Sequence, residues 1–233
     1  THNNSKYNFF VNSFDYLKLK KDSNLKKIFI NNNRCSCYFH NYLKSDLEQN
    51  SNLDNYILSS GLKFNKIDIE INLNEEHAKS SVFSALSLSS DEHQEIKSSL
   101  NHNSKNCQSY QKIKNVLNDQ SRGVYQGKIF VKQEAQKTDA YQLSKALLLN
   151  DNAEFDAKPE LEIYADDVKC SHGSTSGSID LDSIHYLKSR GIPEKKAYQM
   201  LINGFLSEIL EKLPEDNLKK FLIEKIGRQI NGY

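Results

Sequence analysis

The chain has no tryptophan, one methionine, three prolines and only nine glycines among 233 residues. No G-x-x-x-x-G-K-[ST] or G-x-G-x-x-G run occurs, so nucleotide chemistry within the chain is unsupported. Excess charge is missing too. Thirty-one basic and 30 acidic residues leave a net charge of +1, which gives no bulk electrostatic reason to meet nucleic acid or an acidic membrane. Lysine runs at Lys18, Lys20, Lys21 and at Lys26, Lys27 are interspersed with acids and Asn and read as solvated faces. No apolar run approaches the ~18 residues of a membrane span, and no signal-peptide pattern follows Thr1. Four cysteines are too few for a disulfide framework, so free thiols in a reducing compartment are expected.

Mean hydropathy is −0.69, low for a chain long enough to bury one sizeable core. Much of the polarity is Asn, Ser and Lys in the first third. The Asn, Lys and Ile bias reads as genomic base composition rather than chemistry. Residues 1–60 carry no clean period, and "LEQNSNLDNY" reads as a loop. From residue 62 the pattern sharpens. In "KFNKIDIEINLN", Ile67, Ile69, Ile71 and Leu73 alternate with Asp68, Glu70 and Asn72, a half-buried strand. Further strands follow in "SSVFSALSLSS", "HQEIKSSLNH", "GVYQGKIFVK", "YQLSKALLL" and "AEFDAKPELEIYADDV". The connectors are too short for helical crossovers. Repeated short strands with similar turns predict stacked rungs, a β-solenoid, with a β-sandwich as the rival.

The composition changes near Gly173 to Gly177. A helix is predicted over "IDLDSIHYLKSRG", with Asp180 or Asp182 as N-cap and Gly191 just past its end. Pro193 suits the first turn of a second helix reaching about Leu213. Its apolar pairs Ala197/Tyr198, Leu201/Ile202, Phe205/Leu206 and Ile209/Leu210 form a broad stripe. Pro214 stops it. A third helix is expected to bury Leu218, Phe221, Leu222 and Ile226.

Cys170 and His172 are the leading site candidates. In a strand, residues two apart point to one side, so both could reach one ion, yet two ligands do not close a metal site. A buried Cys beside a satisfied His is the bland alternative, and a Cys nucleophile lacks nameable oxyanion donors. Cys35, Cys37 and His40 form C-x-C-x-x-H, half a zinc site that His102 and Cys107 could complete. Asp166 and Asp167 with Glu160 and Glu162 could be the acid cluster of a polysaccharide-cleaving solenoid, although adjacent acids face opposite ways.

Three longer runs are more specific: "RGVYQGKIFVKQEAQKTDAYQLSKALLL", "DAKPELEIYADDVKCSHGSTSG" and "FLSEIL". They resemble the C-terminal half of members of the SufB/SufD family of iron–sulfur cluster assembly scaffolds. The likeness is dense from Ser121 to Leu213, weaker back to residue 62, and absent over 1–60. The likeness does not include the helical N-terminal part usual in the family. Ser174 and Ser176 depart from its usual Ala and small or β-branched residues.

The resemblance implies a mainly β fold, a right-handed parallel β-helix core over 1–177 with a C-terminal α-helical domain over 178–233. It implies a non-catalytic scaffold pairing with SufB through the β-helix end and docking the SufC ATPase through the helical domain, where Phe205 and Leu206 are the residues to test. Cys170 and His172 would lie at the SufB interface, with His172, and Cys170 beside it, as ligands of iron or a nascent cluster that SufB completes. No cofactor would be held stably by the chain alone. The complex would carry a transient iron–sulfur cluster and could bind a flavin. No nucleic acid or membrane partner is implied, and the isolated chain would be free to form a homodimer. The compartment would be a bacterial cytoplasm, with a plastid as the alternative. The competing reading is a metal-dependent hydrolase or lyase on a β-solenoid, using Cys170, His172 and Asp166.

Overall fold

The computed structural model describes residues 9–32 and 35–230. Twelve strands precede the helices. They are β1 (Phe10–Leu19), β2 (Asn24–Asn31), β3 (Cys35–Leu47), β4 (Asn52–Ser60), β5 (Leu62–Leu73), β6 (Lys79–Leu88), β7 (His93–His102), β8 (Gln108–Leu117), β9 (Arg122–Val131), β10 (Asp139–Leu148), β11 (Glu154–Ile163) and β12 (Lys169–Ser178). Odd strands form one six-stranded sheet in the order β1-β3-β5-β7-β9-β11, and even strands form a second in the order β12-β10-β8-β6-β4-β2. Every pairing is parallel. Consecutive strands therefore alternate between two sheets, and the chain winds as a parallel β-solenoid of about six turns. A sandwich would pair its neighbours antiparallel, so that rival is excluded.

The first sixty residues are strands where described. Within "LEQNSNLDNY" only the short turn after Leu47 is loop, and β4 begins at Asn52. Rungs advance by 26 residues from Tyr38 to Phe64 but by 32 from Arg122 to Glu154. That drift hides the repeat from a fixed-period reading. The corners are more regular. Asp22, Asn50, His77, Asn106 and Lys137 all take a left-handed conformation, with φ between 55° and 61°, the region that Asn and Asp tolerate best among residues with a Cβ. Their N–H groups reach the neighbouring turn, as in Asp22 to the Gln49 carbonyl at 2.9 Å and Asn106 to the Gln136 carbonyl at 2.9 Å. Side-chain amides stack likewise. Asn101 donates to Asn72 and Asn103 to Asn74, each at 2.8 Å. The Asn content therefore has a structural use, as ladders between identical positions of successive turns.

The two sheets bury differently. On β5 and β7 inward residues are buried and outward ones are half-buried or exposed, which is why their alternation is readable. On β6 and β8 nearly every residue from the fourth onward is buried, because helices cover the outer face. Helix α1 (Leu181–Ser189) is capped by the Asp180 carboxylate, which accepts from the Asp182 and Ser183 N–H groups. Gly191, at φ +83°, follows its end. Pro193 is the N-cap of α2 (Glu194–Ser207), which passes into a 3-10 turn at Glu208–Leu210. Helix α3 spans Asp216–Ile230.

Ile184, Ala197, Ile202, Leu206, Ile209, Leu210, Leu222 and Ile226 pack with Tyr56, Leu58, Phe83, Ala85 and Val116 on that outer face. Phe221, expected inside, is 46% exposed. It sits next to Leu222, one step round the helix from the covered side. Polar anchors reinforce the apolar seam. Lys114, 1% exposed, meets Glu208 at 2.5 Å and lies 4.0 Å over the Phe205 ring, while Lys112 meets Glu211 at 3.1 Å.

Candidate functional site

The last turn exposes what earlier turns bury. Among the described residues β11 pairs only with β9, and β12 only with β10, so each leaves one backbone edge without a neighbouring strand. On β10, Ala140, Gln142, Ser144 and Ala146 point into the solenoid and are buried. Register places Cys170, His172, Ser174 and Ser176 of β12 on the same four columns. The Ser144 and Ser174 hydroxyls, 2.9 Å apart, mark that alignment. Cys170 and His172 thus share the lumen-facing side at the open end of the coil.

Their surroundings differ. Cys170 is half-buried against the cluster of Ile129, Val131, Ala135, Ala140 and Ala165. Burial pushes its thiol up, and the nearby Asp139 charge adds to that against a backbone hydrogen bond at Ala140. A neutral thiol is a poor nucleophile until a metal or base removes its proton. His172 is exposed and makes no side-chain hydrogen bond among the described residues. Directly beneath it in register lies Gln142. Its side-chain oxygen accepts from the Tyr125 hydroxyl at 3.2 Å and its amide donates to the Glu160 carbonyl at 3.3 Å. Across the opening, β11 turns Phe155, Ala157, Pro159, Leu161 and Ile163 inward, so an apolar rim faces a hydroxyl-rich one. The Gln111–Gln142–His172 column was missed in the sequence. Its signal is three polar residues at rung spacing, visible only once the rungs are aligned.

The other candidates fall apart. Asp166 and Asp167 sit in an exposed turn. The Asp167 carbonyl accepts from Lys137 N–H at 2.6 Å, and its own N–H donates to the Gln136 side chain at 2.9 Å. Glu160 and Glu162 lie on the outer face, paired with Lys158 at 2.8 Å and Lys128 at 2.5 Å. Hydrogen bonds from those lysines hold both carboxyls below their usual range. Among the described residues no three His, Cys, Asp or Glu side chains gather to hold a metal ion, so Asp166 does not join Cys170 and His172 in a ligand set.

The proposed zinc half-sites are also separated. Cys35 pairs in register with Leu62, whereas His102 pairs with Leu73 at the other end of the same sheet, on the order of 30 Å away at strand rise. His40 turns outward to Asp68 at 2.8 Å while Cys37 is buried. His102 is buried against Ser109 at 2.8 Å, and desolvation lowers its pKa to about 4. Burial pushes the Cys107 thiol up to about 11. Cys35 and Cys37 are joined by a disulfide, so the expectation of four free thiols fails for this pair.

A family model described as SUF system FeS cluster assembly, SufBD core domain, matches residues 1–205. The chain belongs to the SufBD family. Among SufBD relatives, the iron–sulfur cluster assembly protein SufD of Escherichia coli K12 is 47% identical over 133 residues, 57% of this chain and 31% of that protein. An iron–sulfur cluster assembly SufBD family protein of Synechocystis is 33% identical over 159 residues, 68% of this chain and 35% of the relative. SufD of Plasmodium falciparum is 29% identical over 224 residues, 93% of this chain and 15% of the relative. The chain thus spans about a third or less of the length of these relatives. The SufBD match reaches back over the first sixty residues, where the sequence alone carried no likeness.

Proposed function

We propose that the chain acts as a non-catalytic scaffold subunit in iron–sulfur cluster assembly, pairing with SufB and docking the SufC ATPase. The observation that carries this reading is the last turn of the solenoid. Among the described residues two strand edges there lack neighbours, and a thiol and an imidazole lie on the lumen-facing side of β12. Free edges take up further strands through backbone hydrogen bonds, and a second solenoid could continue the stack. Cys170 and His172 would then supply part of a coordination sphere for iron or a nascent cluster as cargo, with SufB supplying the rest. Mixed thiolate and imidazole ligation suits iron–sulfur clusters, and a sphere split between two chains opens when they part.

SufC docking falls to the helical unit, but not through the residues first singled out. Leu206 is fully buried and Phe205 is half-buried beside Lys114. Among the described residues, the large apolar side chains of the helical unit that face solvent are Leu181, Tyr186, Met200, Phe221 and Ile223. The compartment we assign is a bacterial cytoplasm or a plastid. Bacterial relatives and a chloroplastic relative from Arabidopsis support it, and no helix among the described residues is long and apolar enough to cross a membrane.

The test is co-expression with SufB and SufC, followed by anaerobic reconstitution. His172→Ala should leave the three-chain complex intact and lower the iron it gains; undiminished loading would refute the ligand role. Met200→Glu with Phe221→Glu should lose SufC while keeping SufB. Full recovery of SufC would remove the helical unit as its dock.

A further inference from the structure

The two cysteines of C-x-C sit at the start of β3, far from the open end, and nothing in the proposed function uses them. Cys37 is 1% exposed and Cys35 is half-buried. They are bonded across a single intervening residue, with Cα atoms 5.2 Å apart. A regular strand would hold positions i and i+2 about 6.6 Å apart. The shortening coincides with an irregularity. Register with β5 runs Cys35 to Leu62 and then Tyr38 to Phe64, so three steps on β3 match two on β5. The extra residue is a β-bulge. It lies at a corner, where Cys35 N–H donates at 2.9 Å to the carbonyl of Gly61 and that glycine has φ +80°.

We propose that Cys35 and Cys37 form a reversible dithiol–disulfide site that exchanges with small thiols such as glutathione and controls the bulge at the start of β3. A bond closing so short a loop removes little freedom from the unfolded chain, so it does little as a structural staple. What it does fix is local, because the closed bond holds the contracted spacing that the bulge requires. Opening it lets β3 return toward extended spacing, and a one-residue slip changes which face the following side chains occupy.

Access sets the direction of attack. An external thiolate reaches the half-buried Cys35 sulfur, breaks the protein S–S bond and releases the Cys37 thiolate, which takes up a proton. A second small thiol then attacks the mixed disulfide and frees Cys35. In sum, one protein disulfide and two RSH give two protein thiols and one RSSR. The other two cysteines are poor competitors, since burial raises the pKa of both the Cys107 and Cys170 thiols.

The experiment is mass spectrometry of the purified chain, trapped with N-ethylmaleimide after equilibration in glutathione buffers of graded redox ratio. Hydrogen exchange over β3 and β5 is followed in parallel. The expected result is a folded protein that gains two labels at Cys35 and Cys37 as the buffer becomes more reducing and loses them on reoxidation. Amide exchange should change at the first residues of β3. Cys35→Ser should abolish the redox dependence. Two outcomes overturn the proposal: both residues alkylated in every buffer, or a bond that opens only when the protein is unfolded. Because Cys37 is buried, the wild-type titration decides the question even if Cys37→Ser fails to fold.

Discussion

Two histidines on the lumen side of the coil have opposite fates. His102, in a middle turn, is fully buried, bonded to Ser109, and loses its affinity for a proton to desolvation. His172, on the last strand, stands exposed on the column where Gln111 and Gln142 are sealed two turns and one turn earlier. The residue type is the same. What differs is whether another rung lies on top. Middle turns convert polar side chains into fixed internal hydrogen bonds, and the end turn leaves the same direction of projection open for a ligand.

That contrast can be broken at either end, and the largest effects belong to the middle turns. At Gly127 an added Cβ would overlap the Tyr125 hydroxyl and the Gln142 side chain. Gly127→Ala should cost about 3 kcal/mol in denaturant unfolding, at the upper end for overpacking, and should disturb the floor under His172. A change below 1 kcal/mol would mean that this floor is soft.

A similar magnitude is expected from pH. The unfolded chain binds a proton at His102 below its ordinary pKa of 6.5, while the folded chain refuses it until about 4. The contribution is intact above pH 6.5 and is lost as pH falls toward 4, amounting to about 3 kcal/mol. His102→Gln should flatten that part of the stability curve measured by urea titration; an unchanged slope would refute the assignment.

Next comes the seam with the helices. Burial holds the Lys114 pKa below its ordinary value even beside Glu208. Glu208→Ala strands that ammonium. Because Glu208 is itself 39% exposed, the loss should be about 2 kcal/mol, short of a fully buried pair. The smallest effect is at the end turn. His172→Ala should change stability by less than about 0.5 kcal/mol, as thermal unfolding of the isolated chain would report. A large loss would mean that this ring is structural.

Legibility in the sequence follows the same division. β5 and β7 declared themselves because one face meets water. β6 and β8 did not alternate because the helices hide their second face, a fact stored more than sixty residues downstream. The helix ends were readable since caps are local: Asp180, Gly191 and Pro193 act within one turn. The rung count was not, because the corner residue changes from Asp22 to Asn50 to His77 while the spacing drifts. Residues two apart on one side follow from strand geometry alone, so the juxtaposition of Cys170 and His172 was foreseeable. That Cys35 and Cys37 bond to each other was not, because it needs a local bulge. Spacing alone suggested a zinc half-site instead.

The composition of β12 bears on what can be added to it. Ser171, Ser174, Thr175, Ser176, Gly177 and Ser178 are all exposed, so the terminal strand offers almost no grease to a newcomer. Any chain that docks there must be recognised by main-chain geometry and by matching polar groups, a joint that forms selectively and comes apart without tearing a core. In the proposed pairing, such a seam on β12 would open and close without exposing an apolar core.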